Sequence, residues 1–103
     1  MAIDIDRTRK PATQAAQALG WLDPATNAVA PPIHTSTNYA RDENYEKVGA
    51  RGYTRDENPT YEQVEALLAT LEEGADAMVF GSGMAAATTV MLSRGPGDHV
   101  VAP

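Results

Sequence analysis

The chain has 103 residues, 14 acidic against 8 basic side chains and a formal net charge of −6, which argues against non-specific binding to nucleic acid. It contains no cysteine, so disulfides and thiolate metal sites are excluded, and His34 and His99 stand too far apart among apolar neighbours to suggest a metal centre. The opening Met1 to Lys10 lacks the apolar core of a signal peptide, and no window reaches the ~18 apolar residues of a membrane span, so a cytoplasmic protein is expected.

In chain order, Thr13 to Leu19 reads as a short helix stopped by Gly20. Asp23-Pro24, Pro31-Pro32 and Gly49 to Gly52 then break any long element, so the region before Asn58 reads as an extended arm with little core. Within it, Tyr53 and Arg55 lie two residues apart in a segment expected to be extended, which points a phenol and a guanidinium the same way and lets them converge on one anion. The plain alternative is a solvated arginine beside a carboxylate. Tyr39-Ala-Arg41-Asp-Glu-Asn44 and Tyr53-Thr-Arg55-Asp-Glu-Asn58 repeat one Y-x-R-D-E-N pattern, but only the second leads into a helix. The first runs into a polar loop in which nothing is expected to fix Arg41.

Asn58 is a good N-cap, Pro59 suits the first helical position, and Val64, Leu67, Leu68 and Leu71 recur at helical spacing to give one apolar stripe. Gly74 is expected to end this helix. Strand-length Asp76 to Phe80 follows, then the turn Gly81-Ser-Gly83, then a helix from Met84 to Ser93. Gly95-Pro-Gly-Asp98 turns the chain into a second strand, His99 to Ala102. The order from Asn58 is α-β-α-β, the opening of an α/β domain with parallel strands and a right-handed crossover. Two strands cannot make a closed core, so independent folding is not expected.

The glycine turn carries the chemistry. A helix N-terminus exposes backbone N–H groups and partial positive charge, a cradle for phosphate. Three readings fit: a tight connection with glycines for geometry alone, a dinucleotide fingerprint, or a monophosphate cofactor. Gly81-Ser-Gly83-Met-Ala-Ala86 satisfies the dinucleotide pattern, but the acidic residue expected ~20 positions on is missing at Val100 to Pro103. No Gly-Lys-Ser/Thr follows, which excludes a P-loop.

Four segments together, Tyr53-Thr-Arg55, Asn58-Pro-Thr60, Ser82-Gly-Met-Ala-Ala86 and Gly97-Asp-His-Val-Val-Ala-Pro103, resemble the trans-sulfuration family of pyridoxal-phosphate enzymes. That family includes cystathionine γ-synthase and γ-lyase, methionine γ-lyase and the O-acylhomoserine sulfhydrylases. The likeness begins near Thr13-Gln14, is marked at Ala30-Pro-Pro-Ile-His-Thr-Ser-Thr-Asn-Tyr39, and runs to the last residue. It implies a fold-type I pyridoxal-phosphate domain of the α/β class, incomplete in this chain. Residues 1–57 would be an N-terminal arm contacting the neighbouring subunit, and 58–103 the start of the large cofactor-binding domain.

The resemblance implies that the backbone amides of Gly83 and Met84 hold the phosphate of pyridoxal 5'-phosphate within one subunit. Tyr53 and Arg55 would reach the phosphate of the neighbouring subunit, and Tyr39 would lie on the substrate side of that shared site, although a packed aromatic in the arm is equally consistent with it. The implied substrate is an amino acid with a leaving group at its γ-carbon, an activated homoserine or cystathionine, handled by a homo-oligomeric lyase or transferase of methionine and cysteine metabolism. The family's ring-stacking tyrosine, ring-nitrogen aspartate and covalent lysine have no counterpart here. The only lysines, Lys10 and Lys47, lack the serine-x-x-lysine context, so no catalytic residue is assigned. The chain is expected to be the inactive N-terminal part of such an enzyme. A stand-alone binding or interaction module and the start of a Rossmann domain are the alternatives.

Overall fold

The computed structural model describes residues 9–102; the first eight residues of the arm, and with them most of the segment searched for a signal peptide, lie outside these, as does Pro103. Among the described residues three α-helices form: α1 (Pro11–Ala16), α2 (Pro59–Leu71) and α3 (Gly83–Leu92). Pro11 starts α1 at the position where a missing N–H costs nothing, and the helix stops well before the expected Leu19. Ala18 and Leu19 take positive φ angles of 45° and 60°, which breaks the α-helix and leaves a single 3-10 turn over Ala18–Gly20.

Helix α2 is made by its cap. Asn58 adopts an extended backbone, and its side-chain oxygen accepts from Thr60 N at 2.8 Å. The helix ends at Leu71, earlier than expected, because Glu73 (φ 53°) enters the left-handed region and Gly74 N closes back onto Ala69 O at 2.9 Å. Ser82 caps α3 in the same manner as Asn58 caps α2, accepting from Ala85 N at 3.2 Å.

Neither expected strand forms. Residues 76–80 and 99–102 have no strand partners, because a strand is stable only against a neighbour that takes up its backbone hydrogen bonds. Val79 N is satisfied instead by Glu65 Oε1 of α2 at 2.9 Å. Pairing is confined, among the described residues, to isolated antiparallel bridges, Asn38 with Tyr53 and Arg41 with Lys47. The Gly95–Asp98 turn forms as expected, with Asp98 N on Gly95 O at 3.1 Å and Gly97 at φ 92°.

The arm does not stand apart from α2. Both α1 and the 3-10 turn touch that helix, and Leu19 is the one buried apolar side chain among the described residues. The α2 stripe is only half covered: Val64 and Leu68 remain 47% and 40% exposed. Helix α3 is almost entirely exposed. The radius of gyration is 17.1 Å, against about 13 Å for a compact domain of this length. The surface of 8271 Å² likewise exceeds the roughly 5,600 Å² of a folded monomer of this mass.

Burying a leucine contributes roughly 1.5–3 kcal/mol, and with one such side chain covered the gain cannot match the ordering entropy of the chain. The purified 103-residue chain should therefore unfold over a broad denaturant range by circular dichroism, or self-associate in sedimentation. A sharp, reversible transition from a monomer would contradict this.

Asn58 gives a second expectation. It is 5% exposed and also donates through Nδ2 to His34 O at 3.3 Å and to Thr54 Oγ1, while His34 N donates to Thr60 Oγ1 at 2.8 Å. Asn58→Ala should cost about 1–3 kcal/mol and fray the first turn of α2. Asn58→Asp keeps the cap oxygen and loses the amide donor, so amide exchange should show a formed helix with a released 34–54 contact.

Candidate functional site

Tyr53 and Arg55 come together, though not by the expected route. The segment is a turn, with Asp56 N and Glu57 N both donating to Tyr53 O at 3.1 and 3.0 Å. The turn folds the guanidinium back over the phenol, Arg55 Cζ lying 5.5 Å from the Tyr53 ring centroid, a cation–π distance. Tyr61 Oη donates to Thr54 O at 3.0 Å and pins the turn to α2. Desolvation first, then the nearby carboxylates of Glu62 and Glu65, push the Tyr61 phenol up from its ordinary pKa.

The other cations of this loop are committed. Arg51 makes a two-pronged ion pair with Glu62, its Nε 3.0 Å from Oε1, and this pairing raises the guanidinium's pKa further. Lys47 Nζ lies 3.0 and 2.9 Å from the two Glu57 oxygens. Arg41 Nη1 donates to Tyr45 O at 2.6 Å inside a tight hairpin, where Asp42 Oδ1 accepts from both Asn44 N and Glu46 N at 2.9 Å. The expectation that nothing fixes Arg41 is thus corrected: the first copy of the repeat closes on itself, with Tyr45 at φ 62°. Among the described arginines, Arg55 alone has neither an ion pair nor a hydrogen bond. It lines a cleft of about 560 Å³ with Tyr61, Glu65 and residues 76–80.

Tyr39 sits beside this turn. Its N–H donates to Gly52 O at 3.3 Å and Thr54 N donates to Thr37 O at 2.9 Å, a short antiparallel ladder on either side of the Asn38–Tyr53 bridge. The Tyr39 hydroxyl is buried without a hydrogen-bond partner, in a recess lined with Val48, Gly49 and Arg51.

Gly83 and Met84 lie elsewhere, at the start of α3, and do not line the Arg55 cleft. With Ser82 Oγ on Ala85 N and Ser82 O on Ala86 N, the two amides ahead of them make no hydrogen bond in the chain. A Cβ at Gly81 or Gly83 would meet nothing within 4 Å, so the cradle is open.

Residues 12–103 match the family described as Cys/Met metabolism PLP-dependent enzymes. The chain belongs to that family. Among relatives, it is 47% identical to the cystathionine gamma-synthase of Mycobacterium bovis over 94 residues, covering 90% of this chain and 24% of the relative. Against the cystathionine beta-lyase of Coxiella burnetii the identity is 43% over 79 residues, 77% of this chain and 20% of that one. The cystathionine gamma-lyase of Bacillus subtilis gives 42%, with 77% and 21% covered. The chain thus spans about a quarter of the length of the curated relatives it matches. No solved structure matches it.

Family membership brings the type I fold and pyridoxal phosphate as cofactor. The residues fit such a group: two open amides at a helix start, and one stacked cation with no anion of its own. Among the described residues no set of three potential metal ligands gathers, and no helix is long and apolar enough to cross a membrane.

Sequence reasoning missed Glu57. It links Lys47 to the backbone of Gly52, whose N–H donates to Glu57 Oε2 at 2.7 Å. No local motif announces a pair ten residues apart; only the repeated Asp-Glu-Asn hinted that the acid mattered. The Lys47 ammonium first, then the Gly52 N–H, holds this carboxyl below the ordinary glutamate pKa. A folded-state pKa below the unfolded one stabilises fully above the unfolded value, and that contribution disappears as pH falls through the folded value. The 52–57 turn should hold at neutral pH and open in acid below the ordinary glutamate range, read by exchange of the Gly52 amide. Glu57→Gln should make that exchange nearly independent of pH across the same range.

Proposed function

We propose that this chain is the N-terminal part of a pyridoxal-phosphate-dependent trans-sulfuration enzyme acting at the γ-carbon of a homoserine-derived or sulfur-containing amino acid. Residues 1–57 form the arm that reaches a neighbouring subunit, and 58–103 open the large domain. There 76–80 and 99–102 become parallel strands once a sheet lies beside them, completing the α-β-α-β unit. The protein is a cytoplasmic homo-oligomer, and the 103-residue chain alone is inactive.

The cofactor supplies an electron sink beside the substrate's α-carbon. The residues of this chain bind and orient. The Gly83 and Met84 amides donate to the phosphate within one subunit, using the helix start and its partial positive charge. Arg55 donates charged N–H groups from the other subunit, with Tyr53 stacked against it and offering its hydroxyl. Tyr39, its hydroxyl unspent, faces the substrate.

The observation that carries this reading is the uncommitted Arg55 in a loop whose other cations are all engaged. A charge-assisted hydrogen bond contributes about 1.5–3 kcal/mol. In the complete enzyme Arg55→Ala should weaken pyridoxal-phosphate affinity by roughly one to two powers of ten, and Arg41→Ala much less, since Arg41 serves its own hairpin. Titration of the two apo-enzymes decides it: a costlier loss at Arg41 would refute the assignment. Turnover of cystathionine compared with O-acylhomoserine plus a thiol then separates lyase, synthase and sulfhydrylase.

A further inference from the structure

We infer that Glu57, clamped by Lys47, is a positioning residue for the phosphate site, setting the Tyr53–Arg55 pair without touching the cofactor itself. The inference rests on the proposed role of Arg55.

Glu57 closes the turn at both ends. Its N–H donates to Tyr53 O at 3.0 Å, and its side chain accepts from Gly52 N at 2.7 Å, so the residues around Tyr53 and Arg55 are held in a reciprocal ring. Lys47 fixes the carboxylate from the other side and ties it to the Arg41–Lys47 bridge of the preceding hairpin. Gly52 is buried, and the Lys47 side chain lies across it: a Cβ there would stand 2.8 Å from Lys47 Cε. The glycine is the gap through which the lysine reaches its acid. The ring spends a carboxylate close to a site that must take an anion, which is electrostatically unfavourable unless the acid is neutralised, and Lys47 neutralises it.

At Glu57, positioning and plain electrostatics predict opposite signs. Deleting a nearby negative charge would by itself strengthen phosphate binding. Loss of the clamp instead releases Arg55 and weakens it. In the complete enzyme, Glu57→Gln and Lys47→Met should each weaken pyridoxal-phosphate affinity by about twofold to tenfold. The double variant should be no worse than the weaker single, because one device is broken either way. Gly52→Ala, which pushes Lys47 aside, should behave like Lys47→Met. The ³¹P resonance of the bound cofactor should move toward that of free pyridoxal phosphate in each variant, a change that a general loss of fold stability would not produce.

Unchanged or tighter binding in Glu57→Gln, or additive losses in the double variant, would overturn the inference. Should Glu57→Gln fail to fold, Gly52→Ala, which displaces Lys47 without changing any charge, carries the same test, and unaltered affinity there overturns the inference. Arg55→Ala measured alongside separates the two levels. If it binds normally, the phosphate assignment itself has failed; if it binds weakly while the clamp variants bind normally, only the positioning role has failed.

Discussion

The structure depends on one buried amide. Asn58 is hydrogen-bonded on both sides: its oxygen caps α2 through Thr60, and its nitrogen gathers His34 O and Thr54 Oγ1. Three distant stretches, the proline-rich arm, the Tyr53 turn and the helix, are thereby held at one point. With a single buried apolar side chain among the described residues, the hydrophobic effect cannot set this arrangement. Directional polar contacts do so, and they are effective here because Asn58 is nearly inaccessible to water, where a hydrogen bond is not exchanged for one to solvent.

From that point the charges fall into order. Arg51 pairs with Glu62 on α2, and Lys47 with Glu57 at the end of the turn, so one of the loop's cations is consumed in attaching it to the helix and another in closing the turn. Arg41 is consumed by its own hairpin. A chain of net charge −6 has carboxylates to spare, and its Asp56 is adjacent to Arg55, yet Arg55 remains unpaired over Tyr53. Exposed pairs contribute little, so no strong force drives Arg55 to a surface acid, and stacking on the ring keeps it where an incoming anion can displace solvent only.

Much of this was legible in the sequence where the signal is local. Asn58-Pro59 announced α2, because capping is decided within four residues, and the alanine- and methionine-rich run after Gly83 announced α3. The glycine turn and the Tyr53–Arg55 pair could be named, and the four ordered segments fixed the family. What could not be read was non-local. A turn replaced the extended segment at Tyr53, because Glu57 closes it from five residues away. The self-contained Arg41 hairpin depends on the Asp42 side chain and a positive φ at Tyr45, neither of which a polar composition reveals. Residues 76–80 and 99–102 were expected to be strands and do not form them here, because a strand is a property of a pair, and no pairing partner is set by its own residues.

The two halves of the proposed phosphate site are therefore secured differently. The arginine half is held by this chain's own contacts: a capped helix, a ring of hydrogen bonds through Glu57, and Tyr61 on Thr54. The amide half sits on α3, capped by Ser82 but bare along its length, with Met84 and Leu92 76% and 80% exposed. A helix apolar on every side reaches a stable position only when covered on every side. The amides of Gly83 and Met84 point correctly whenever the helix exists, but where they point is set by what packs around α3. The proposed sharing of the anchor between subunits suits this asymmetry, since the side-chain half is held by its own chain and would dock onto a cradle whose place is fixed by its own domain.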